Sequence, residues 1–222
     1  MRSKRYGAIF DLDGVMVDTE PIYFKAMQEM AKKRGKDFTL KIKKRVMGTG
    51  GLMSMKIMKE NLGLRESPEE LLAERGEIYG RLLREQGIRP MPGLFKVLTL
   101  LKEMGFDLAI ASSSRRKWIE LALKELGIAK EFKVIVSGEE VKEAKPAPDI
   151  FLLAVSRLGL KRERCFILED TLVGVEAARR AGIKCIAIPN QYNRDEDFSC
   201  ATLVVSGLGE INKRMIKNLF SK

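Results

Sequence analysis

The chain contains no histidine among its 222 residues. This absence excludes Ser-His-Asp and Cys-His catalysis, histidine general bases and histidine-ligated zinc. Any acid–base chemistry must therefore depend on carboxylates, lysines or tyrosines. Cysteine is also scarce. The chain has only Cys165, Cys185 and Cys200, and they lack the clustered spacing of a metal site. We expect the first two, which start apolar runs, to be buried free thiols.

Long apolar segments are missing as well. No run approaches the roughly 20 residues that a transmembrane helix needs. The basic start, residues 1–5, leads into a short apolar run and not into a signal-peptide core. With 45% hydrophobic and 32% charged residues, the chain suits one large domain or a core domain with an insert. We expect a cytoplasmic protein that does not associate with membranes.

The formal net charge is +11, from 41 lysines and arginines against 30 acidic residues. The excess is densest at residues 32–36 and 41–45. Three interpretations stay open: a solvated helical face, attraction of a small anionic substrate, and nucleic-acid binding.

Short apolar runs alternate with helical patterns after residue 90. This alternation predicts right-handed βαβ units and a mainly parallel sheet. Strands are predicted at 6–10, 106–111, 134–136, 165–168, 184–188 and 203–205, and helices at 118–126, 149–158, 173–181 and 208–220.

No strand pattern is evident between residues 16 and 90. Apolar residues recur there at helical spacing, and Ser67, with a proline and then Glu70 after it, is typical of a helix start. The predicted fold class is therefore α/β. A Rossmann-like, mainly parallel sheet flanked by helices (residues 1–15 and 91–222) would carry an inserted all-helical domain (residues 16–90).

Two carboxylates, Asp11 and Asp13, follow the first predicted strand directly. Residues two apart in a strand point to the same side, and ligands of open α/β sheets bind at the carboxyl ends of the strands. Paired anions at that place favour a metal cation, or a division of labour between acid and base.

Three later segments place further polar residues just past strands. These are Ser112 to Ser114, Lys145 in a proline-rich loop, and the pair Glu169 and Asp170. Each has a simpler explanation taken alone: Ser112 or Asp170 could cap a helix, and Lys145 could lie on the surface. In a parallel sheet, however, all of these segments would meet at one edge.

With these four motifs in order, the whole chain resembles the haloacid dehalogenase superfamily, and within it the β-phosphoglucomutase-like phosphatase branch with a helical cap. The resemblance implies that Asp11 is the nucleophile and Asp13 the general acid and base. It implies that Ser112 and Lys145 hold the transferring phosphoryl group. It also implies a Mg²⁺ site made by Asp11, Asp170 and the Asp13 backbone carbonyl, with Glu169 assisting through water.

The resemblance implies further substrate contacts from Ser113 in the core and from Glu20, Gly50 and Gly51 in the cap. The stretch from Gly48 to Gly51 could be mistaken for a phosphate loop, but we expect a flexible cap loop near the substrate.

Departures from the mutase pattern favour hydrolysis. That pattern has a histidine where Tyr23 falls and an arginine near Gly51, so we expect this cap to lack groups for a second phosphate. The resemblance thus implies a magnesium-dependent phosphatase of small phosphate monoesters (sugar, polyol or nucleoside phosphates). We expect a monomer, since nothing in the sequence demands more, and no nucleic-acid partner. The alternatives are a sugar-phosphate mutase and, in another class, a non-catalytic basic nucleic-acid-binding or regulatory protein.

Overall fold

The computed structural model describes residues 5–221. The basic start of the chain, Met1 to Lys4, and the last residue, Lys222, lie outside the described residues. Strands β1 to β6 span Tyr6–Phe10, Phe106–Ser112, Phe132–Ser137, Cys165–Glu169, Lys184–Ala187 and Leu203–Val204. Helices α1 to α9 span Glu20–Lys32, Leu40–Val46, Gly51–Leu62, Pro68–Gln86, Leu94–Glu103, Arg116–Glu125, Asp149–Leu158, Leu172–Ala181 and Lys213–Leu219.

The six strands form one sheet in the order β3-β2-β1-β4-β5-β6, and every neighbouring pair is parallel. Helices α5, α6 and α9 cover one face, and α7 and α8 cover the other. The four inner strands, β2, β1, β4 and β5, are buried on both sides, which explains their short and almost uninterrupted apolar sequences. The predicted α/β class with a Rossmann-like parallel sheet is confirmed.

Helices α1 to α4, which we call the cap, pack around their own apolar cluster. The predicted start of α4 is present as a capping box, because Ser67 Oγ accepts from the Glu70 amide at 3.2 Å and Glu70 accepts from the Ser67 amide at 2.8 Å. Tyr23 of α1 stacks on Tyr79 of α4 with ring centroids 4.2 Å apart. The domain boundaries at residues 15/16 and 90/91 stay a prediction.

The chain enters and leaves the cap through two segments that lie side by side. Val17 and Pro90 form an antiparallel bridge. The Asp18 amide donates to the Arg89 carbonyl at 2.9 Å, and the Met91 amide donates to the Met16 carbonyl at 2.9 Å. We call this paired connection the neck.

Some elements differ from the predicted ones. The predicted C-terminal helix starts later, because Asn212 caps α9 by accepting from the amides of Arg214 and Met215. Helices α2 and α5 were not among the predicted helices. Within the described residues, no helix combines the length and apolar character required to cross a bilayer.

Candidate active site

The carboxyl ends of β1, β2 and β4 bring the predicted segments together. Strand β1 lies in the middle, with Phe10 paired to Ile110 on one side and to Leu168 on the other. Asp11, the next residue, therefore lies between the last residues of β2 and β4. The loop between β3 and α7 adds Lys145 at the same edge, as expected from a parallel sheet.

Lys145 is the centre of a buried ionic cluster. The residue is only 5% exposed, and its Nζ donates to Asp11 Oδ1 and to Glu169 Oε1, each at 2.6 Å. The Ala111 carbonyl accepts a third, longer bond at 3.4 Å. Burial lowers the pKa of Lys145, but the two carboxylates outweigh burial, so the pKa is raised and the ammonium stays charged.

The two aspartates of this cluster hold their protons more tightly than usual. Burial, together with the negative charges of Glu169 and Asp13, raises the pKa of Asp11 to about 7 against the attraction of Lys145. Burial, and then the charges of Glu169 and Asp11, raise the pKa of Asp170. Two of these three buried carboxylates, Asp11 and Glu169, pair with the one ammonium, and the site carries uncompensated negative charge when all three are ionised.

Glu169 is fully engaged by donors of the protein. Besides Lys145 on Oε1, its Oε2 accepts from the amides of Asp170 and Thr171, at 2.8 and 2.9 Å, and from the Thr171 hydroxyl. Gly174 in the first turn of α8 leaves the space for this carboxylate, because a Cβ there would lie 1.8 Å from Oε1. Glu169 therefore orients Lys145 and the loop that carries Asp170.

Asp170 is held by two asparagines that the sequence analysis missed. Asn190 Nδ2 donates to Asp170 Oδ2 at 2.9 Å, and Asn193 Nδ2 donates to the Asp170 carbonyl at 2.6 Å. Both asparagines lie just after β5, at the carboxyl edge of the sheet. Their position after a predicted strand was the one sign in the sequence that they could belong to the site, but asparagine after a strand is also typical of an ordinary turn.

Asp13 is half-buried and surrounded by hydroxyl groups. Ser114 Oγ donates to its Oδ2 at 2.6 Å and Thr19 Oγ1 donates to its Oδ1 at 2.5 Å. Ser112, the predicted partner of the phosphoryl group, is farther from Asp13 Oδ2, at 3.4 Å, and accepts from the Ser114 amide at 3.1 Å. Tyr23 joins this network, with its hydroxyl 3.1 Å from Ser114 Oγ.

The residues of the site fit a small, hard divalent cation. Within residues 5–221 no three acidic or cysteine side chains converge as a ready-made metal cluster. The carboxylates of Asp13 and Glu169 are occupied by protein donors. Asp11 Oδ2 and Asp170 Oδ1, by contrast, accept no hydrogen bond from the described residues. Two carboxylates with free oxygens and excess negative charge suit Mg²⁺, which commonly uses one or two carboxylates and keeps water and substrate as further ligands.

The edge of the sheet that carries Asp11, Asp13, Glu169 and Asp170, which we call the acidic rim, lines a cavity of about 560 Å³ between the sheet and the cap. Ser113 and the three predicted cap residues, Glu20, Gly50 and Gly51, all line it. Glu20 is not free, because its carboxylate pairs with Lys43 Nζ at 2.9 Å. The remaining cap wall is mostly apolar, with Phe24, Met27, Phe38, Val46, Met47, Leu52, Met53 and Leu72.

One cap residue corrects the expectation that this cap lacks a cation for a second anionic group. Arg75 of α4 lines the cavity, and its Nη2 lies 3.5 Å from where a Cβ on Gly51 would be. Its buried Nε has no hydrogen-bond partner among the described residues, and its guanidinium lies 5.4 Å from the centre of the Tyr23 ring. Helix packing thus brings a cation from a distant segment to the place where the loop itself has glycine.

The chain matches proteins of known family over most of its length. The family model of haloacid dehalogenase-like hydrolases matches residues 8–188. A phosphorylated carbohydrates phosphatase of Thermotoga maritima is 36% identical over 182 residues, which are 80% of this chain and 82% of that one.

Solved structures agree. β-Phosphoglucomutase from Clostridium difficile has a TM-score of 0.84 at 25% identity, over 98% of this chain and 97% of that chain. A mutant of CbbY from Rhodobacter sphaeroides, solved with xylulose-(1,5)bisphosphate, has a TM-score of 0.80 at 27% identity, over 93% and 96%.

The family resemblance seen in the sequence is thus confirmed, and the alternative of a non-catalytic binding protein is set aside. The chain belongs to the haloacid dehalogenase-like hydrolases, and it is an enzyme that hydrolyses phosphate esters.

Proposed function

We propose that the protein is a magnesium-dependent phosphatase of small phosphate monoesters that works through an aspartyl-phosphate intermediate. The observation that carries the proposal is the buried ion cluster in which Lys145 bridges Asp11 and Glu169 at the floor of the cavity. A carboxylate reacts poorly with a phosphate dianion, because both are negative. A fixed ammonium beside the carboxylate lowers that repulsion where charge develops.

Asp11 is the proposed nucleophile. Its Oδ1 is held by Lys145, which leaves Oδ2 for attack on phosphorus. As the Oδ2–phosphorus bond forms, the bond between phosphorus and the ester oxygen breaks. Water then attacks the acyl phosphate, which releases inorganic phosphate and regenerates the Asp11 carboxylate.

Asp13 is the proposed general acid and base. It gives a proton to the leaving ester oxygen in the first step and takes one from water in the second. The hydroxyls of Ser114 and Thr19, at 2.6 and 2.5 Å, fix the orientation of its carboxyl group for both steps. Such proton transfer contributes typically about 10²–10⁴-fold in rate.

Asp170 would hold Mg²⁺ through its free Oδ1, together with Asp11 and the Asp13 carbonyl, while Asp11 Oδ2 is kept for the attack on phosphorus. When bound, the ion supplies positive charge that neutralises the phosphoryl oxygens in the transition state. Lys145 and Ser112 hold the same phosphoryl group from the side of β2.

The proposed substrate is a small phosphorylated metabolite: a sugar, polyol or nucleoside phosphate. The Thermotoga maritima relative is named for phosphorylated carbohydrates, which supports this range. A cavity of about 560 Å³ encloses a ligand of such size. The site needs no nucleic-acid surface, and the proposal includes none.

A sugar-phosphate mutase is the second candidate, and Arg75 is the observation that favours it. A guanidinium at the cap wall could hold the second phosphate of a bisphosphate intermediate. Tyr23, hydrogen-bonded to Ser114 where the mutase pattern has histidine, supports hydrolysis instead. Incubation with a hexose 1-phosphate separates the two, since a mutase yields the 6-phosphate isomer and a phosphatase yields free phosphate.

The proposal is tested with a phosphate-release screen over sugar, polyol and nucleotide esters, with Mg²⁺ or with a chelator. We expect hydrolysis that the chelator removes, and that Asp11→Asn abolishes. Asp107→Asn is the matched control, because Asp107 is a buried, ion-paired carboxylate at the opposite end of β2.

Trapping the intermediate tests the chemistry itself. After acid quench with a radiolabelled aryl phosphate, whose leaving group needs no protonation, Asp13→Asn should retain protein-bound phosphate that hydroxylamine removes, because only the second step then depends on Asp13. Asp11→Asn should retain none. Hydrolysis by Asp11→Asn at the wild-type rate would contradict the assigned nucleophile.

A further inference from the structure

Lys43 is a buried lysine at the contact between the cap and the core. Lys43 belongs to α2, and the residue is only 3% exposed. Lysine is almost never fully buried without a partner. Here Nζ pairs with Glu20 Oε2 at 2.9 Å and lies 3.3 Å from the centre of the Tyr192 ring. Glu20 belongs to the cap, whereas Tyr192 belongs to the core loop that follows β5.

That core loop, residues 190–193, is the asparagine loop that holds Asp170. The Tyr192 amide donates to Asn190 Oδ1 at 2.9 Å, and Asn190 Nδ2 donates to Asp170 Oδ2 at 2.9 Å. Asn193 Oδ1 accepts from the Asn190 amide at 2.8 Å, and its Nδ2 donates to the Asp170 carbonyl. The ring on which Lys43 rests is thus one hydrogen bond away from the residue that orients the Asp170 carboxylate.

The ammonium of Lys43 already has partners in the protein, so Lys43 is not a free cation kept for the substrate. Its positive charge is compensated by the Glu20 carboxylate, and its Nζ also donates to the Glu20 carbonyl at 3.4 Å. Two aromatic rings lie over it, Tyr192 at 3.3 Å and Phe24 at 5.0 Å. A cation on an aromatic face is most strongly attracted where water is excluded, as it is here.

We propose that Lys43 and Tyr192 form a latch that couples the seating of the cap to the orientation of Asp170. The contact exists when α2 lies against the asparagine loop, and it steadies that loop through the Tyr192 main chain. Asn190 then keeps Asp170 Oδ2 engaged and Oδ1 free. Lys43, Tyr192 and Asn190 are therefore positioning residues. The inference rests on the proposed function, because it assigns Asp170 to a metal site.

The test measures metal binding directly, beside activity, on the full-length protein. Mg²⁺ affinity is determined by titration calorimetry for wild type, Lys43→Met, Tyr192→Leu and the double variant. We expect each single variant to bind Mg²⁺ about tenfold more weakly, as is typical when a residue that orients a metal ligand is lost. The double variant should be no weaker than the weaker single variant, since both break one contact.

Tyr192→Phe is the matched control. It keeps the ring face, and the Tyr192 hydroxyl donates to no described residue, so Mg²⁺ affinity should stay within about twofold of wild type. Tyr192 is half-buried in a loop, so Tyr192→Leu is expected to fold even if Lys43→Met leaves Glu20 without a partner. A thermal melt of each variant checks this.

Two results would overturn the latch. In the first, Mg²⁺ affinity is unchanged in both single variants while Lys43→Met raises KM alone, which would make Lys43 a substrate-binding residue. In the second, both variants lose melting temperature with Mg²⁺ affinity intact, which would make the contact merely structural. A wild type that binds Mg²⁺ without hydrolysing any ester would contradict the proposed function, whereas the calorimetry would still decide the latch.

Discussion

Replacing Asp11 by asparagine should stabilise the metal-free protein at pH 8 and change its stability little at pH 4. The reason is the shift of the Asp11 pKa from 3.8 to about 7, caused by burial and by the neighbouring carboxylates. A folded state that binds a proton more tightly than the unfolded state loses stability as pH rises between the two pKa values. The loss begins near pH 4 and is complete above about pH 7.

The magnitude follows from the same shift. A shift of about three pKa units corresponds to about 4 kcal/mol, since each unit is worth about 1.36 kcal/mol. Asparagine resembles the neutral, protonated form of Asp11 and escapes this cost. For a chain of this size, 1 kcal/mol moves the melting temperature by roughly 2–4 °C, so we expect the variant to melt roughly 10 °C higher at pH 8.

The assay is thermal unfolding followed by circular dichroism from pH 4 to pH 8.5, in chelator and again in Mg²⁺. The gap in melting temperature between variant and wild type should widen from pH 4 to pH 7 and then stay constant. Added Mg²⁺ should narrow the gap, because a bound cation relieves the repulsion in the wild type only.

Asp107→Asn supplies a control with the opposite sign. Burial raises the pKa of Asp107, but Lys133 and Arg5 outweigh burial and lower it overall. Ionised Asp107 therefore stabilises the fold above its unfolded pKa, and the variant should be less stable than wild type at neutral pH and equal to it in acid. Two results would refute the reasoning. One is a difference in melting temperature between Asp11→Asn and wild type that does not change with pH, and the other is an Asp11→Asn variant less stable than wild type at pH 8.

Three further changes probe single contacts. Gly174→Ala should lower kcat at least tenfold in steady-state kinetics, because the added Cβ would displace the Glu169 carboxylate. Gly76→Ala is its control: a Cβ at Gly76 would have no atom within 4 Å, so kcat should be unchanged. Lys145→Met leaves the carboxylates of Asp11 and Glu169 buried without their cation. Denaturant unfolding should show a loss of about 3–5 kcal/mol of stability, and phosphate release should fall to almost nothing. A stable, active variant would contradict the role given to this ion cluster. Arg75→Met should raise KM about tenfold or more for esters that carry a second anionic group and much less for those without one.

The sheet and the acidic rim could be predicted because their signals are local. Three of the apolar runs lead directly into polar residues of the site, as in Phe10-Asp11, Ala111-Ser112 and Leu168-Glu169, and parallel pairing alone brings these ends together. The chain direction of every strand then fixes which edge carries the chemistry. No long-range information is needed for that part of the site.

The rest of the site depends on tertiary packing that no local pattern reveals. Arg75 is one charged residue in a polar helix, and only the packing of α4 beside Gly51 turns it toward the cavity. Lys43 belongs to a basic run that is typical of a solvated face, yet it is buried. Helix α2 itself spans seven residues, which is too short for a clear helical period.

The neck carries both covalent connections between the cap and the sheet. Because Val17 and Pro90 pair there, the polypeptide departs and returns at nearly the same place, and Asp11, Asp13 and Asp170 all lie outside the segment between them. Within that segment, however, Thr19 holds Asp13 and Lys43 lies on the Tyr192 ring. A different helical lid grafted at this junction would recognise a different leaving group, but it would inherit an intact reaction centre only if it kept these two contacts. The architecture ties the evolution of selectivity to a few contacts that preserve the chemistry.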